Sequence, residues 1–186
     1  MAKTVLVVDL DFRNPADDFD MGLSRVLSDP GVEVRFYTDT RDNNPIPPEL
    51  LKDVDAFISV IRPVTEASLA QANRLKWIGR FGAGFDNVDL PACTARGIFV
   101  SNSPQGVWRS VPEIIVGYML ALTDKFKVLD THIRSKGFAG KDAISTRCLY
   151  GRTAGIIGFG GIGFTLAKIL KAFSMKVQAH DPFADE

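Results

Sequence analysis

Residues 153–181 read TAGIIGFGGIGFTLAKILKAFSMKVQAHD, with four glycines in six positions near the middle. The pattern predicts a strand at Thr153–Ile157, a helix at Ile162–Phe173 and a second strand at Lys176–His180. The turn between the first strand and the helix fits G-x-G-x-x-G. Its first glycine permits a tight turn, its second lets a pyrophosphate approach the backbone, and its third lets helix and strand pack closely. This order of elements predicts a dinucleotide-binding unit.

An acidic residue follows the second strand of this unit. Asp181 lies about 18 residues past Gly163, near the spacing expected for a carboxylate that binds the adenosine ribose hydroxyls. Because this anion would repel a 2′-phosphate, the sequence predicts NAD rather than NADP as the cofactor. The helix N-terminus would offer unpaired N–H groups to the phosphates. The alternative interpretation is a glycine-rich turn with a capping aspartate.

The overall composition excludes several classes of protein. Lys and Arg number 22 and balance 22 Asp and Glu, which gives no electrostatic basis for binding nucleic acid or an anionic membrane. The apolar run before Asp9 is too short for a signal peptide or a membrane span, and no later run approaches about 18 apolar residues. We therefore expect a soluble, cytoplasmic protein. The two histidines make no metal cluster, and the two cysteines, Cys93 and Cys148, are expected to be free and buried.

The first hundred residues alternate short apolar runs with polar, helix-like segments. The predicted strands are Thr4–Leu10, Val32–Thr38, Asp55–Ile61, Leu75–Phe81 and Gly97–Asn102. The predicted helices are Asp18–Leu27, Pro48–Lys52, Glu66–Asn73 and Leu90–Arg96. Asn43–Pro48 is expected to be a proline-stiffened loop. Alternation of helices with nearly continuous apolar strands predicts a parallel sheet covered on both faces.

The middle of the chain is more apolar. The segment VPEIIVGYMLALTDKF, residues 111–126, predicts a helix with Pro112 early in it and Glu113 in its first turn. This helix is apolar on most faces, which predicts burial between domains or against another subunit. Lys127–Lys136 is expected to continue helically, and Gly137–Gly151 to form an arm or loop.

Several motifs resemble the D-isomer-specific 2-hydroxyacid dehydrogenases, a family that includes phosphoglycerate, glycerate and formate dehydrogenases. Residues 80–89, RFGAGFDNVD, match the family's R-x-G-x-G-x-D-N-V-D stretch, and residues 97–104, GIFVSNSP, match its G-I-x-V-x-N-x-P strand. VPE at 111–113 stands where the family usually has V-A-E. HDP at 180–182 matches the end of its second nucleotide-domain strand. The resemblance covers essentially all 186 residues.

The resemblance implies two α/β domains. Residues 1–103 would form a flavodoxin-like substrate domain, and residues 104–186 the beginning of a Rossmann NAD-binding domain. The backbone N–H groups of Ala83 and Gly84 would hold the substrate carboxylate, with Ala83 also near the nicotinamide; the alternative is a plain tight turn after a strand. Motif and resemblance together give the cofactor-binding set Gly158, Gly160, Gly161, Ile162, Gly163, Asp181, Pro182 and Ser110.

Some positions depart from the family pattern. Val107 and Trp108 stand where the family often has a small Asn or Ser lining the cofactor cleft, and Pro112 replaces the usual Ala. Arg62 is a candidate clamp for a carboxylate or phosphate of the substrate, and a surface or capping role is the alternative. Alignment of the following Val-Thr pair with the family places Ser59 where the phosphoglycerate enzymes have an arginine, which argues against 3-phosphoglycerate as the substrate.

The resemblance also implies that three catalytic residues of the family are missing from residues 1–186. Hydride transfer in the family uses an Arg that orients the keto acid, a His that exchanges the proton and a Glu that raises the pKa of that His. All three are expected beyond the last residue of this chain. We therefore assign no catalytic residue here, and give that role to neither His132 nor His180. The chain is expected to be a C-terminally truncated NAD-dependent dehydrogenase for a 2-hydroxy and 2-keto acid pair, inactive alone and homodimeric through residues 104–151.

Two other functions are alternatives to this one. The chain could be a non-catalytic NAD-binding or partner-binding protein, as with family relatives recruited as corepressors, with the apolar helix at 111–122 as its interaction surface. Alternatively, VLVVDLD at residues 5–11 ends in acids, like the metal-binding pair of a phospho-receiver domain. A receiver also needs an acceptor Asp at the end of its third strand, and DAFISVI at 55–61 does not end in one. This second alternative is therefore rejected.

Overall fold

The structure, a computed structural model, describes residues 4–8, 24–37 and 44–183 of the chain. The chain divides into two units, Met1–Pro104 and Gln105–Glu186. Each unit has its own parallel sheet and its own hydrophobic core.

The first unit is built on a five-stranded parallel sheet with the strand order β2-β1-β3-β4-β5. Its strands are β1 (Thr4–Val8), β2 (Val32–Phe36), β3 (Ala56–Ser59), β4 (Trp77–Arg80) and β5 (Phe99–Asn102). The helices α1 (Ser24–Leu27) and α2 (Leu90–Ala95) and a 3₁₀ turn at Pro48–Leu51 lie between strands. The predicted flavodoxin-like α/β class is confirmed, because this strand order is the flavodoxin-like one. In such sheets, ligands bind beyond the carboxyl ends of the strands.

The largest buried cluster of this unit lies on one face of the sheet, and Leu6 and Val8 are buried on the opposite face of β1. Alternate residues of a strand point to opposite faces, so Phe57 and Ile78 are fully buried while Trp77 and Phe99 stay 36% and 78% exposed. The core residues are Val5, Val7, Ile46, Leu51, Val54, Phe57, Val64, Leu69, Ala72, Leu75, Ile78, Val88, Cys93 and Ile98. The packing fixes the register of the strands and thereby the position of the loops at their ends.

The second unit contains the β-α-β arrangement predicted at its end. Strands β6 (Thr153–Ile157) and β7 (Lys176–His180) have the predicted bounds and pair in parallel. They are connected by α5 (Gly161–Ala172), which begins and ends one residue earlier than predicted. Its buried core consists of Val116, Leu149, Ile156, Leu166, Ala167, Leu170 and Met175. Two earlier helices, α3 (Gln105–Thr123) and α4 (Phe126–Lys136), complete the unit, and α3 packs against α5.

Helix α3 begins earlier than predicted. It begins at Gln105, so Pro112 lies inside the helix and Glu113 is outside the first turn. A proline inside a helix removes one backbone hydrogen bond, which is why Pro112 was placed near the helix start. Here Pro112 is buried in the middle of the helix. Within this chain, Tyr118 and Leu122 are 66% and 77% exposed, so the burial of this helix between domains or against another subunit stays a prediction.

The segment predicted as a helix at Glu66–Asn73 is a series of turns. The backbone N–H of Thr65 donates to the hydroxyl of Ser68, and the N–H of Ser68 donates to the hydroxyl of Thr65. Such short polar side chains compete with helical backbone bonds. The prediction of a helix here is therefore wrong.

Other differences are smaller. Strands β3, β4 and β5 are shorter than predicted by up to two residues at an end, and Pro48–Leu51 is a 3₁₀ turn. Five predicted segments extend outside the described residues. They are the strands Thr4–Leu10 and Val32–Thr38, the helix Asp18–Leu27, the loop Asn43–Pro48 and the acidic stretch at residues 5–11, of which residues 9–11, 18–23, 38 and 43 are not described. Cys93 is buried but Cys148 is exposed in the loop before β6, so the prediction of two buried thiols is wrong for Cys148.

Candidate functional site

The glycine-rich turn between β6 and α5 has the geometry expected of a dinucleotide-binding turn. Gly158 has a φ of +91°, which side chains disfavour. A Cβ on Gly163 would collide with the carbonyl oxygen of Gly158, so this glycine lets α5 approach the end of β6. A Cβ on Gly160 would meet nothing within 4 Å, because the space beside it is open. The three glycines of the motif thus have the three different environments that the motif predicts.

The start of α5 can bind an anion. Gly160 is its N-cap, and no side chain caps this end of the helix. The first N–H groups of a helix have no acceptor within it and carry the positive end of the helix dipole. A cavity of about 460 Å³ lies against them, lined by the glycine-rich turn, Ile162, Leu166 and Trp108. The open space and the unpaired donors suit a pyrophosphate group.

Asp181 is held at the end of β7 by two backbone groups. Its Oδ2 accepts a hydrogen bond from the N–H of Phe159 at 2.6 Å, and its Oδ1 accepts one from the N–H of Phe183 at 2.9 Å. These bonds, first that from Phe159, lower the pKa of the Asp181 carboxyl below its usual value. The carboxylate therefore caps the glycine-rich turn, as the alternative interpretation has it. Each oxygen still has a lone pair that can accept a bond from a sugar hydroxyl.

A second turn, in the first unit, follows β4. Gly82 has a φ of +130°, and its N–H donates to the hydroxyl of Ser103 at 2.9 Å. The side-chain amide of Asn102 donates to the carbonyl of Ala83 at 2.8 Å. Among the described residues, no acceptor is found for the N–H groups of Ala83 and Gly84. The turn is thus anchored by its neighbours while two adjacent donors stay available to an anion.

The residues that anchor this turn were not singled out from the sequence. Asn102 is the last residue of β5 and Ser103 follows it, and β5 is the neighbour of β4 in the sheet. Asn87 accepts a hydrogen bond from Arg80 Nε at 3.1 Å and donates to the buried hydroxyl of Ser59 at 3.2 Å. A usable signal was present, because polar residues that follow parallel strands collect at one edge of the sheet. It was missed because the strand order is needed to apply it.

Comparison with known proteins gives the family. Residues 16–179 match the family model described as D-isomer specific 2-hydroxyacid dehydrogenase, catalytic domain. The chain belongs to this family. D-3-phosphoglycerate dehydrogenase of Archaeoglobus fulgidus is 37% identical to it over 142 residues, which are 74% of this chain and 27% of that protein.

Solved structures of dehydrogenases share the fold. NAD⁺-bound 3-phosphoglycerate dehydrogenase of Entamoeba histolytica aligns with a TM-score of 0.74 and 27% identity, covering all of this chain and 56% of that one. D-lactate dehydrogenase of Aquifex aeolicus, complexed with NAD and lactic acid, aligns with a TM-score of 0.77 and 27% identity over 98% of this chain and 53% of that one. This 2-hydroxyacid dehydrogenase chain therefore spans about a quarter to about half of the length of these relatives.

Six predicted site residues do not line the cavity at the start of α5, namely Ala83, Gly84 and Asp181, which are described above, and Arg62, Ser110 and Pro182. Arg62 is 7% exposed and donates from Nε and Nη2 to the carbonyls of Asn44 and Pro45, which is a capping contact. The hydroxyl of Ser110 donates to the carbonyl of Gly106 on its own helix. Pro182 is exposed in the turn after β7. Their roles in binding stay predictions.

The two histidines lie in different elements of the second unit, His132 in α4 and His180 in β7. A ring nitrogen of His132 lies 2.7 Å from the carbonyl oxygen of Ala139, and His180 is the last residue of β7. In the part of the chain that the structure describes, there is no group of three His, Cys, Asp or Glu side chains that could hold a metal ion. None of the described helices is long and apolar enough to cross a membrane.

Proposed function

We propose that this chain is the substrate- and cofactor-binding part of a cytoplasmic, NAD-dependent dehydrogenase that interconverts a 2-hydroxy acid and a 2-keto acid. The observation that carries the proposal is the uncapped start of α5 beside the open space at Gly160, with Asp181 at the end of the adjacent β7. These features suit the pyrophosphate and the adenosine ribose of a dinucleotide. When bound, the nicotinamide would supply or accept the hydride.

In this proposal the turn after β4 binds the acid. The N–H groups of Ala83 and Gly84 would donate to the carboxylate of the substrate, since they have no acceptor among the described residues. Hydrogen bonds that involve a charged partner are roughly twice as strong as neutral ones. Arg62 is a further candidate, because it lies just past β3, the other neighbour of β4 in the sheet. Two of its donor atoms already hold the loop at Asn44 and Pro45, so its main contribution would be to shape the site.

A substitution at Asp181 tests the cofactor assignment. The chain should bind NADH more tightly than NADPH, because the Asp181 carboxylate repels a 2′-phosphate. Asp181→Ala also releases the turn at Phe159, so it should weaken the binding of both cofactors. Only the ribose role predicts, in addition, that the ratio of the two dissociation constants falls towards one. We would measure both constants by isothermal titration, with Asp142→Ala, which removes an exposed carboxylate of the same unit, as the control. Equal affinity of the unmodified chain for NADH and NADPH would contradict the assignment.

A turnover assay tests the assignment of no catalytic residue. The polypeptide of residues 1–186 is expected to bind NADH without reducing glyoxylate, hydroxypyruvate or pyruvate. Neither histidine is given the role of proton donor, and general acid–base help is worth roughly 10²–10⁴ in rate. Oxidation of NADH at a rate typical of an enzyme would show that a proton donor lies among these residues.

We also propose that the chain forms a homodimer through residues 104–151. The support is a stripe of exposed apolar side chains along α3, namely Ile114, Tyr118 and Leu122, which are 56%, 66% and 77% exposed. Exposed apolar surface of this kind is typical of protein interfaces. The same stripe is also the interaction surface of the alternative, partner-binding function. A light-scattering experiment distinguishes a self-associating chain from a monomeric one.

A further inference from the structure

Trp108 lies directly against the start of α5. It belongs to the first turn of α3, is 39% exposed and lines the same cavity as the glycine-rich turn. A Cβ on Gly161 would lie 2.5 Å from Nε1 of Trp108 and in collision with the adjoining ring carbons. The indole thus occupies the space that a side chain at Gly161 would need.

The indole N–H of Trp108 is a donor without an acceptor among the residues that the structure describes. The indole nitrogen can only donate a hydrogen bond. It stands beside the first backbone N–H groups of α5, which are also donors and lack acceptors within the helix. Donors cannot satisfy one another, so this corner of the cavity needs a group with several acceptor atoms, and a phosphate has them.

We propose that Trp108 is a cofactor-contacting residue whose indole N–H donates to a pyrophosphate oxygen of the dinucleotide. This inference rests on the proposed function and adds a residue at a position where the family often has a small polar side chain. It also explains the glycine at position 161, since any larger residue would displace the indole from the phosphate site.

The test compares Trp108→Phe with the unmodified chain. Phenylalanine keeps an aromatic ring on Gly161 but removes the N–H. Loss of a hydrogen bond to a charged group should make the binding of both NADH and ADP-ribose about tenfold weaker. Trp77→Phe is the matched control, because Trp77 lies in the first unit, where its indole donates to Ser101 at 3.0 Å. Its NADH affinity should equal that of the unmodified chain, and far-ultraviolet circular dichroism checks that each variant is folded.

A double substitution adds an independent readout. Gly161→Ala should weaken NADH binding by displacing the indole, and it should have much less effect when combined with Trp108→Ala, so the two effects should not add. Fully additive effects, or an unchanged affinity of Trp108→Phe for NADH, would overturn the proposal. A loss confined to NADH and absent for ADP-ribose would also overturn it, by placing the indole near the nicotinamide. If the unmodified chain binds neither ligand, the proposed function fails together with this inference.

Discussion

Asp55 and Asp181 are carboxylates that backbone N–H groups fix at the ends of strands. Asp55 precedes β3 and accepts from the N–H of Val5 at 2.8 Å and from Arg74 Nη2 at 2.6 Å. The bond from Val5 lowers the pKa of Asp55 most, burial acts in the opposite direction, and Arg74 lowers it further. In both cases the fold stabilises the charged form of the carboxyl group. The two residues differ in what they connect, since Asp55 joins the start of β3 to β1 and Asp181 joins the end of β7 to the glycine-rich turn.

The lowered pKa of Asp55 predicts a pH dependence of stability. A carboxyl whose pKa is lower in the folded state stabilises the fold above its unfolded pKa, near 4, and this contribution is lost as the pH falls through the folded value. Asp55→Asn should therefore reduce the free energy of unfolding at pH 7 by about 1 kcal/mol, allowing for the partial exposure of the pair. The difference from the unmodified chain should shrink below pH 4. Urea titrations at pH 7 and pH 3 measure it, and an equal difference at both values would contradict the assignment.

The two thiols should differ in reactivity. Cys148 is exposed, whereas Cys93 is buried in the core of the first unit, where burial raises the pKa of its thiol. Because the thiolate is the reactive form, a thiol reagent at pH 8 should modify one cysteine rapidly and the other only after unfolding. The Cys148→Ser variant should lose the fast phase. Two fast phases in the folded chain would show that Cys93 is accessible.

At the level of the elements, the β6-α5-β7 unit depends on the close approach that Gly163 permits. Gly163→Ala places a methyl group against the carbonyl oxygen of Gly158, where the backbone cannot yield without moving α5 or the turn. Overpacking of this kind costs roughly 1–3 kcal/mol. We expect a lower melting temperature together with weaker NADH binding. Gly106→Ala is a matched control, since a Cβ there would meet nothing within 4 Å, and its melting temperature should not fall.

The elements differ in how well the sequence predicts them. β6, β7 and the glycine-rich turn were predictable, because alternating apolar residues and glycine spacing are local signals. The turns at Glu66–Asn73 were not, because the hydroxyls of Thr65 and Ser68 override a weak helical pattern. The start of α3 was not predictable in this way, because Pro112 indicates the first turn of a helix, whereas α3 extends seven residues before it. The contact between Trp108 and Gly161 joins two distant segments, and no local signal could have shown it.

At the scale of the whole molecule, the two sides of α3 should have different functions. Ile115 and Met119 pack against the core of the second unit, while Ile114, Tyr118 and Leu122 are exposed. Charges at Ile115 and Met119 should therefore unfold this unit and do not test the interface. Tyr118→Glu and Leu122→Glu should leave it folded and convert a dimer to a monomer.

Multi-angle light scattering at micromolar concentration measures this change. Phe99→Glu is a suitable control, because Phe99 is 78% exposed but belongs to the first unit. It should leave the mass unchanged. A monomeric mass for the unmodified chain would contradict the proposed homodimer.

The central claim is that the start of α5 binds the pyrophosphate of NAD. Titration of the ¹⁵N-labelled chain with NADH, followed by amide chemical shifts, tests it most directly. We predict that the largest shifts occur at residues 158–163, at the indole N–H of Trp108 and around Asp181, and that they saturate together. An absence of shifts at millimolar NADH, or shifts that saturate elsewhere and leave residues 158–163 unchanged, would contradict it.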